Sequence, residues 1–306
     1  NALRFNTSGS ANVALGYVAL EDNTTGGSNT AVGTSALTNN TTASNNTAMG
    51  KSALAANTTG ASNTAFGEGS LQANTTADNN TAVGRLSLAA TTTGAANTAV
   101  GYASQQTLVG GFNNTSLGFL SLYVSTASNN TAVGHTSLMG NTTGTSNTAV
   151  GMQSGRFNTT GSQNTYLGIN SGYNNTTASN NTGLGSDALY ANTTGAQNTA
   201  VGRQALKSNT TASNNTVMGY NAGDNITTSP SNTIMGQNAG TNITTGNGEN
   251  VLIGNRAGVN MSTGAQNVIM GDNAGASLTT PVQNTFLGDN SGDAITTGSH
   301  NTILGR

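Results

Sequence analysis

The stretch Asn29-Thr30-Ala31-Val32-Gly33 returns as Asn80-Thr81-Ala82-Val83-Gly84 and again as Asn147-Thr148-Ala149-Val150-Gly151. Its pattern, Asn-(Thr/Val)-x-(apolar)-Gly, occurs eighteen times between Asn12 and Asn301. Fifteen of the seventeen intervals are 17 residues, one is 16 and one is 18. A fixed short period marks an array in which each copy is one structural unit, so a chain length of 306 residues says little about domain number.

Numbered from its Asn, each copy has Asn at position 1 and Gly at position 5. Position 2 is Thr or Val and position 4 is always apolar, so positions 1 to 4 read as a short β-strand. Side chains alternate along a strand, so positions 2 and 4 share one face and position 3 takes the other. The unbroken apolar character of position 4 marks its face as the expected interior. Position 3 then points outward as the candidate interface column. Its members are Ala31, Ala48, Ala65, Ala82 and Ala99 in the early copies. They enlarge to Tyr166, Ile234, Leu252, Ile269, Phe286 and Ile303 towards the C-terminal end.

Position 8 is Ala or Ser, and position 9 is Leu in most early copies, such as Leu37, Leu54 and Leu88. From Asn215 onward position 9 becomes Gly (Gly223, Gly240, Gly258, Gly275, Gly292). In the same copies position 12 changes from Asn to Ile226, Ile243, Met261, Leu278 and Ile295. The copy at Asn97 makes a related exchange, with Gln105 and Leu108. An uncompensated loss of a buried Leu costs about 2–5 kcal/mol, so this exchange places positions 9 and 12 inside. Gly155 and Gly172 keep Asn158 and Asn175 at position 12, and Phe157 and Tyr173 are expected to fill the space.

Positions 13 and 14 are usually paired Thr, such as Thr24-Thr25, followed by Gly-rich corners. The short copy loses a residue near Tyr123-Val124, and the long copy gains one in Gly246-Asn247-Gly248-Glu249, both outside the first strand. The expected fold is all-β: a parallel β-solenoid (β-roll) of about eighteen coils with a 17-residue repeat. Residues 1–11 read as a partial N-terminal coil. Coils with mainly Leu at position 9 span 12–214, and coils with Gly there and Ile, Leu or Met at position 12 span 215–306. Identical residues lie above one another in such a stack, so Asn columns can hydrogen-bond along the axis.

Charged residues are 6% and the net charge is −2, which gives no case for nucleic acid or an anionic membrane. There are no cysteines, so disulfides and thiolate metal sites are excluded. No window is apolar enough for a membrane-spanning helix. Disorder does not hold an apolar residue at one phase through eighteen copies. The chain opens at Asn1 without Met, as a mature product or an excerpt of a longer protein would.

The segments at Asn29, Asn80 and Asn147 resemble the head repeats of trimeric autotransporter adhesins, whose core is Asn-Ser-x-Ala-Ile-Gly. The fuller unit, Asn29 to Asn45, is similar to the repeat arrays of tail-fibre-type proteins. The resemblance covers nearly all of the chain and implies a left-handed parallel β-roll with three chains side by side. The 17-residue period departs from the shorter adhesin unit, and no coiled-coil stalk, anchor or chaperone segment is read in these residues.

Residues that could carry chemistry are sparse. His135 and His300 lie about nine copies apart. Asp272 and Asp289 share position 6 and, with Asp293, are the best-placed oxygen ligands for a hard cation, but no calcium-binding nonapeptide accompanies them. Gly50-Lys51-Ser52 ends like a phosphate loop, yet the motif's first glycine would fall at Asn45. No Ser, His and acid recur in a triad phase. No catalytic residues, cofactor or metal are therefore expected, and exposed charge is the reading for the aspartates. Sequons such as Asn23-Thr24-Thr25, Asn57-Thr58-Thr59 and Asn192-Thr193-Thr194 are candidates for glycans. A flat Thr array could bind ice, but the adjacent Thr24 and Thr25 give only one outward column.

Residues 1–11 fit positions 7 to 17 of a preceding copy and Arg306 is position 6 of the last, so the two ends are in phase. Self-association is expected, as a head-to-tail filament or a lateral homotrimer. The expected function is a non-enzymatic, extracellular or cell-surface fibre shaft or filament subunit. The alternatives are an adhesin or receptor-binding head with a cell-surface or glycan ligand and, as a minor one, an ice-binding β-solenoid.

Overall fold

A computed structural model describes residues 1–306. It contains eighteen three-residue strands, one at positions 2 to 4 of each copy, and no helix. The chain forms two compact units, Asn1–Asn147 and Thr148–Arg306. The first holds β1 (Val13–Leu15) to β8 (Thr131–Val133), and the second β9 (Thr148–Val150) to β18 (Thr302–Leu304). Within each unit successive strands pair in parallel, like on like: Thr81 lies beside Thr98, Ala82 beside Ala99 and Val83 beside Val100. Each unit is thus a parallel β-solenoid with 17-residue spacing. Both length changes sit in loops, because Thr115 pairs Thr131 and Thr233 pairs Val251 with the strand positions unshifted. The change of composition at Asn215 falls inside the second unit, where β12 (Thr199–Val201) pairs β13 (Thr216–Met218) in phase.

The strand faces are the reverse of the expectation. Ala31, Ala48, Ala65, Ala82, Ala99, Tyr166, Ile234, Leu252, Ile269 and Phe286 are 0% exposed, so position 3 is core, with Ile303 half-buried on the last strand. Positions 2 and 4 face outward. The physical reason is space. Leu37, Leu54 and Leu88 at position 9 share one fully buried cluster with Ala31, Ala48 and Ala82, so the large side chain at 9 goes with a small one at 3. Position 3 grows only where position 9 shrinks. A Cβ on Gly172 would lie 2.4 Å from the Tyr166 ring, and one on Gly292 2.5 Å from the Phe286 ring. Tyr166, and not Phe157 or Tyr173, therefore fills the space at Gly172; Phe157 is exposed and Tyr173 half-buried at the surface. The inward placement of positions 9 and 12 holds: Leu37, Leu206, Gln105, Leu108, Ile226 and Ile243 are all fully buried.

The backbone supplies a second reason for Gly at position 9. Three positions per coil are left-handed: 7, 9 and 17, as in Ser35 (φ 59), Leu37 (φ 51) and Asn45 (φ 64). That conformation costs an L-residue about 1–2 kcal/mol and Gly almost nothing. Burial of the Leu side chain offsets the strain in the early copies, and Gly removes it in the later ones. Position 5 needs Gly for both φ and proximity: a Cβ on Gly33 (φ +131) would meet the Gly50 carbonyl oxygen at 2.6 Å.

Two internal asparagine ladders replace the charges that the chain lacks. At position 12, Asn40 Nδ2 donates to Asn23 Oδ1 at 2.8 Å and to the Ala43 carbonyl at 3.0 Å. At position 1, Asn29 Oδ1 accepts from the backbone N–H of Asn46 at 3.0 Å, while Asn46 Nδ2 donates to the Gly60 carbonyl at 2.9 Å. The left-handed corner belongs to the residue before, position 17. The position-12 ladder stops where its residue type changes. Asn74 Oδ1 and Asn209 Oδ1 have no donor, because Thr91 and Ile226 follow them in the next copies. At position 13, hydroxyls cap the coil below, as in Thr24 Oγ1 to the Thr41 carbonyl at 3.0 Å.

Candidate interaction faces

Reversal of the strand puts a Thr column and an apolar column on the outside. At position 4, Phe66 is 53% exposed and Leu117 48% in the first unit, and Leu167 is 44% and Leu287 50% in the second. Neither column contains a charged residue. Such contiguous apolar surface marks an interaction face more often than a solvated one. The signal was present in the sequence, because the residue that must stay small opposite Leu is Ala at position 3, while position 4 accepts anything from Val83 to Phe66. A packed interior accepts such a range only where a neighbour changes size in step, as position 9 does for position 3.

Position 6 borders this face beyond the Gly corner. In the first unit Tyr102 stacks on Phe119 (5.4 Å, 15°) and Phe119 on His135 (5.2 Å, 8°). Arg85 sits 5.9 Å from the Tyr102 ring centre and pairs with Glu68 at 3.1 Å. The rings cover one another's faces, so the column presents edges outward.

The remaining candidate residues do not converge. His135 belongs to this stack and His300 is exposed in the other unit. Asp272 accepts from Asn255 Nδ2 at 3.0 Å, and Asp289 pairs with Arg306 at 3.5 Å. No group of three His, Cys, Asp or Glu side chains is placed to hold a metal ion. The sequon asparagines Asn23, Asn57 and Asn192 are fully buried rungs. Asn57 Nδ2, for example, donates to Asn40 Oδ1 and the Gly60 carbonyl, both at 2.9 Å, which leaves no N–H for a glycan in the folded chain. For ice, one Thr of each pair is outward, as expected, with Thr25 and Thr59 exposed and Thr24 and Thr58 half-buried, and position 2 adds a second Thr column. The column beside position 2 varies in height from Val83 to Phe66, which a flat crystal plane would not accommodate.

Tyr166 is the one strongly perturbed acid. Burial pushes its phenol far above the ordinary range, and the neighbouring Asn181 amide offsets only part of this. Its hydroxyl makes no well-formed hydrogen bond. It is a core residue whose ring fills space. Asp224, half-buried, is raised by burial and partly restored by Lys207.

No helix is long and apolar enough to cross a membrane. Compared with family models, curated proteins and solved structures, the chain matches none.

Proposed function

We propose that the chain is a non-catalytic structural element of an extracellular fibre or filament, and that copies associate side by side through the face formed by positions 2 and 4. The observation that supports this reading is the uncharged, exposed apolar column flanked by Thr on strand after strand. A three-residue strand is about 10 Å wide and strands lie about 4.8 Å apart, so the ten strands of the second unit offer about 480 Å² in plan. That is of the same order as one side of a standard interface, about 800 Å², and position 6 widens it. The resemblance to adhesin heads and tail-fibre arrays agrees with a lateral homotrimer. It also keeps an adhesin or receptor-binding head as the alternative.

Sedimentation velocity and multi-angle light scattering test the reading on the chain and on two pairs of variants, Phe66→Lys with Leu117→Lys and Leu167→Lys with Leu287→Lys. The unaltered chain is expected to form discrete oligomers, and each pair to shift it to monomer with an unchanged circular dichroism spectrum. A monomer at high concentration, or oligomers indifferent to both pairs, would sink the proposal.

A further inference from the structure

Around Arg156 the surface stops repeating. Position 10 carries Thr38, Ala55, Gln72 and Ala89 in early copies, but Arg156, Tyr173, Tyr190 and Lys207 in four successive later ones, with Phe157 beside them at position 11. In the second unit these side chains form one cluster. Phe157 meets Tyr173 edge-on at 5.0 Å, and Tyr173 stacks on Tyr190 at 5.0 Å and 6°. The Arg156 guanidinium lies 5.2 Å from the Phe157 ring centre and 5.9 Å from that of Tyr173. Contacts on both rings fix the plane of its fork.

That fork lacks an acceptor. The three ion pairs of the protein are Arg4–Glu21, Arg85–Glu68 and Arg306–Asp289, so Arg156 has no carboxylate. Its hydrogen bond to the Tyr173 hydroxyl is long, at 3.5 Å, and its Nε is buried with no partner at all. The rings cover Nε, and the rest of the half-buried, pre-oriented guanidinium is left without a carboxylate, which suits it to an anion from outside. Further along the column Lys207 faces Asp224, whose ionisation it favours, so the uncompensated charge is that of Arg156. Beside it, Phe157 exposes apolar ring surface and the two phenols can supply hydroxyl donors and acceptors.

We propose that Arg156, Phe157, Tyr173 and Tyr190 form a binding site for an acidic saccharide. The guanidinium takes a carboxylate or sulfate in bidentate fashion, the tyrosine hydroxyls meet sugar hydroxyls, and the Phe157 ring covers the sugar's C–H surface. A nucleic acid would call for several phosphate-binding cations, and the cluster offers one that is free. The site does not depend on self-association of the chain.

Isothermal titration with three probes decides the matter: an oligouronate, a sulfated galactan tetrasaccharide free of uronic acid and a carboxyl-reduced neutral oligosaccharide, with oligoglutamate as the peptide control. One of the two acidic sugars should bind saturably and the neutral one should not, and which one binds distinguishes carboxylate from sulfate. Arg156→Gln should weaken binding at least about tenfold and Tyr173→Phe a few-fold, while Arg256→Gln, a distant exposed arginine, leaves it unchanged. Thermal melts of each variant exclude unfolding as the cause. Absence of saturable saccharide binding, equal weakening by Arg256→Gln, or tighter binding of oligoglutamate than of either acidic sugar would overturn the proposal.

Discussion

Replacing Gly223 by Leu adds a side chain where the later coils have none. A Cβ there lies 3.0 Å from Ile226 Cδ1, 3.5 Å from Ile234 Cδ1 and 3.6 Å from Val217 Cγ1, so the first carbon nearly fits and the rest of the Leu side chain does not. Overpacking of this kind costs about 1–3 kcal/mol. Holding Leu at the φ of +54 found for Gly223 adds about 1–2 kcal/mol. The single variant should therefore lose about 2–5 kcal/mol. Ile226→Asn alone empties the same space and buries an amide, at a similar cost by a different route. Together the two changes should nearly cancel. Leu returns at position 9, as in Leu206 of the preceding copy (φ 50), and the new amide reaches Asn209 Oδ1, which otherwise has no donor. Some crowding against Val217 and Ile234 remains, because that position is Ala, Ser or Gly in copies with Leu. The double variant is expected about 1–2 kcal/mol below the parent, with a coupling energy of at least about 2 kcal/mol. Urea denaturation of all four proteins measures it, and the slopes must be compared because a coil array can fray locally and cease to be two-state. Losses that simply add would show that positions 9 and 12 do not share one volume, and the packing account would fail.

Three further outcomes follow from the same geometry. Ala82→Asp places a carboxylate in a fully buried site and should abolish cooperative folding, whereas Val83→Asp, one residue on, should change the melting curve little and suppress self-association; matching effects on stability would contradict the assignment of faces. Asn57→Ala strips donors from Asn40 Oδ1 and the Gly60 carbonyl and an acceptor from Asn74 Nδ2, for an expected loss of about 2–4 kcal/mol in urea titration, against almost none for the exposed Thr59→Ala. Tyr166 holds its proton more tightly folded than unfolded, so its contribution is intact below the ordinary phenol value of 10.0 and is lost as pH rises beyond it towards the folded value. Thermal melts near neutrality and near pH ~11 should show a larger loss for the parent than for Tyr166→Phe, and equal losses would refute it.

The period, the strand at positions 2 to 4, the inward positions 9 and 12, and the loop location of both length changes could all be read from residue type and spacing. Those features follow from local preference and from one conserved interior volume. The facing of the strand could not be taken from apolarity, since both of its faces are apolar in the later copies: Ile234 points inward while Met235 points outward. What decides it is covariation of size, Ala31 with Leu37 and Tyr166 with Gly172, and that comparison runs between positions 3 and 9 and not along the strand. Left-handed backbone at positions 7, 9 and 17 had no sequence signature, because Ser, Leu and Asn occupy it as well as Gly. The Arg156 cluster was hidden for a different reason. Its members lie 17 residues apart and two of them had been assigned to the core, so their common surface emerges only once Tyr166 is seen to fill the coil instead.

A solenoid of this kind constrains its inward residues severely and its outward ones hardly at all. Inside, departures come in pairs: Gly at 9 in the later copies with Ile, Met or Leu at 12, and Gly172 and Gly292 with Tyr166 and Phe286 at 3. Outside, stacking needs only that a side chain tolerate its neighbour one coil away, which Thr, Ser and Asn do at least cost to solubility. Large apolar residues at position 4 and the aromatic and cationic run at position 10 are thus unexplained by folding. Truncating them tests this directly: Leu117→Ala and Tyr190→Ala should each cost well below the 2–5 kcal/mol typical of a buried Leu or Phe. If either proves as costly as Leu122→Ala, which removes a fully buried side chain, then that outward residue is part of the fold and its surface offers no separate case for a partner.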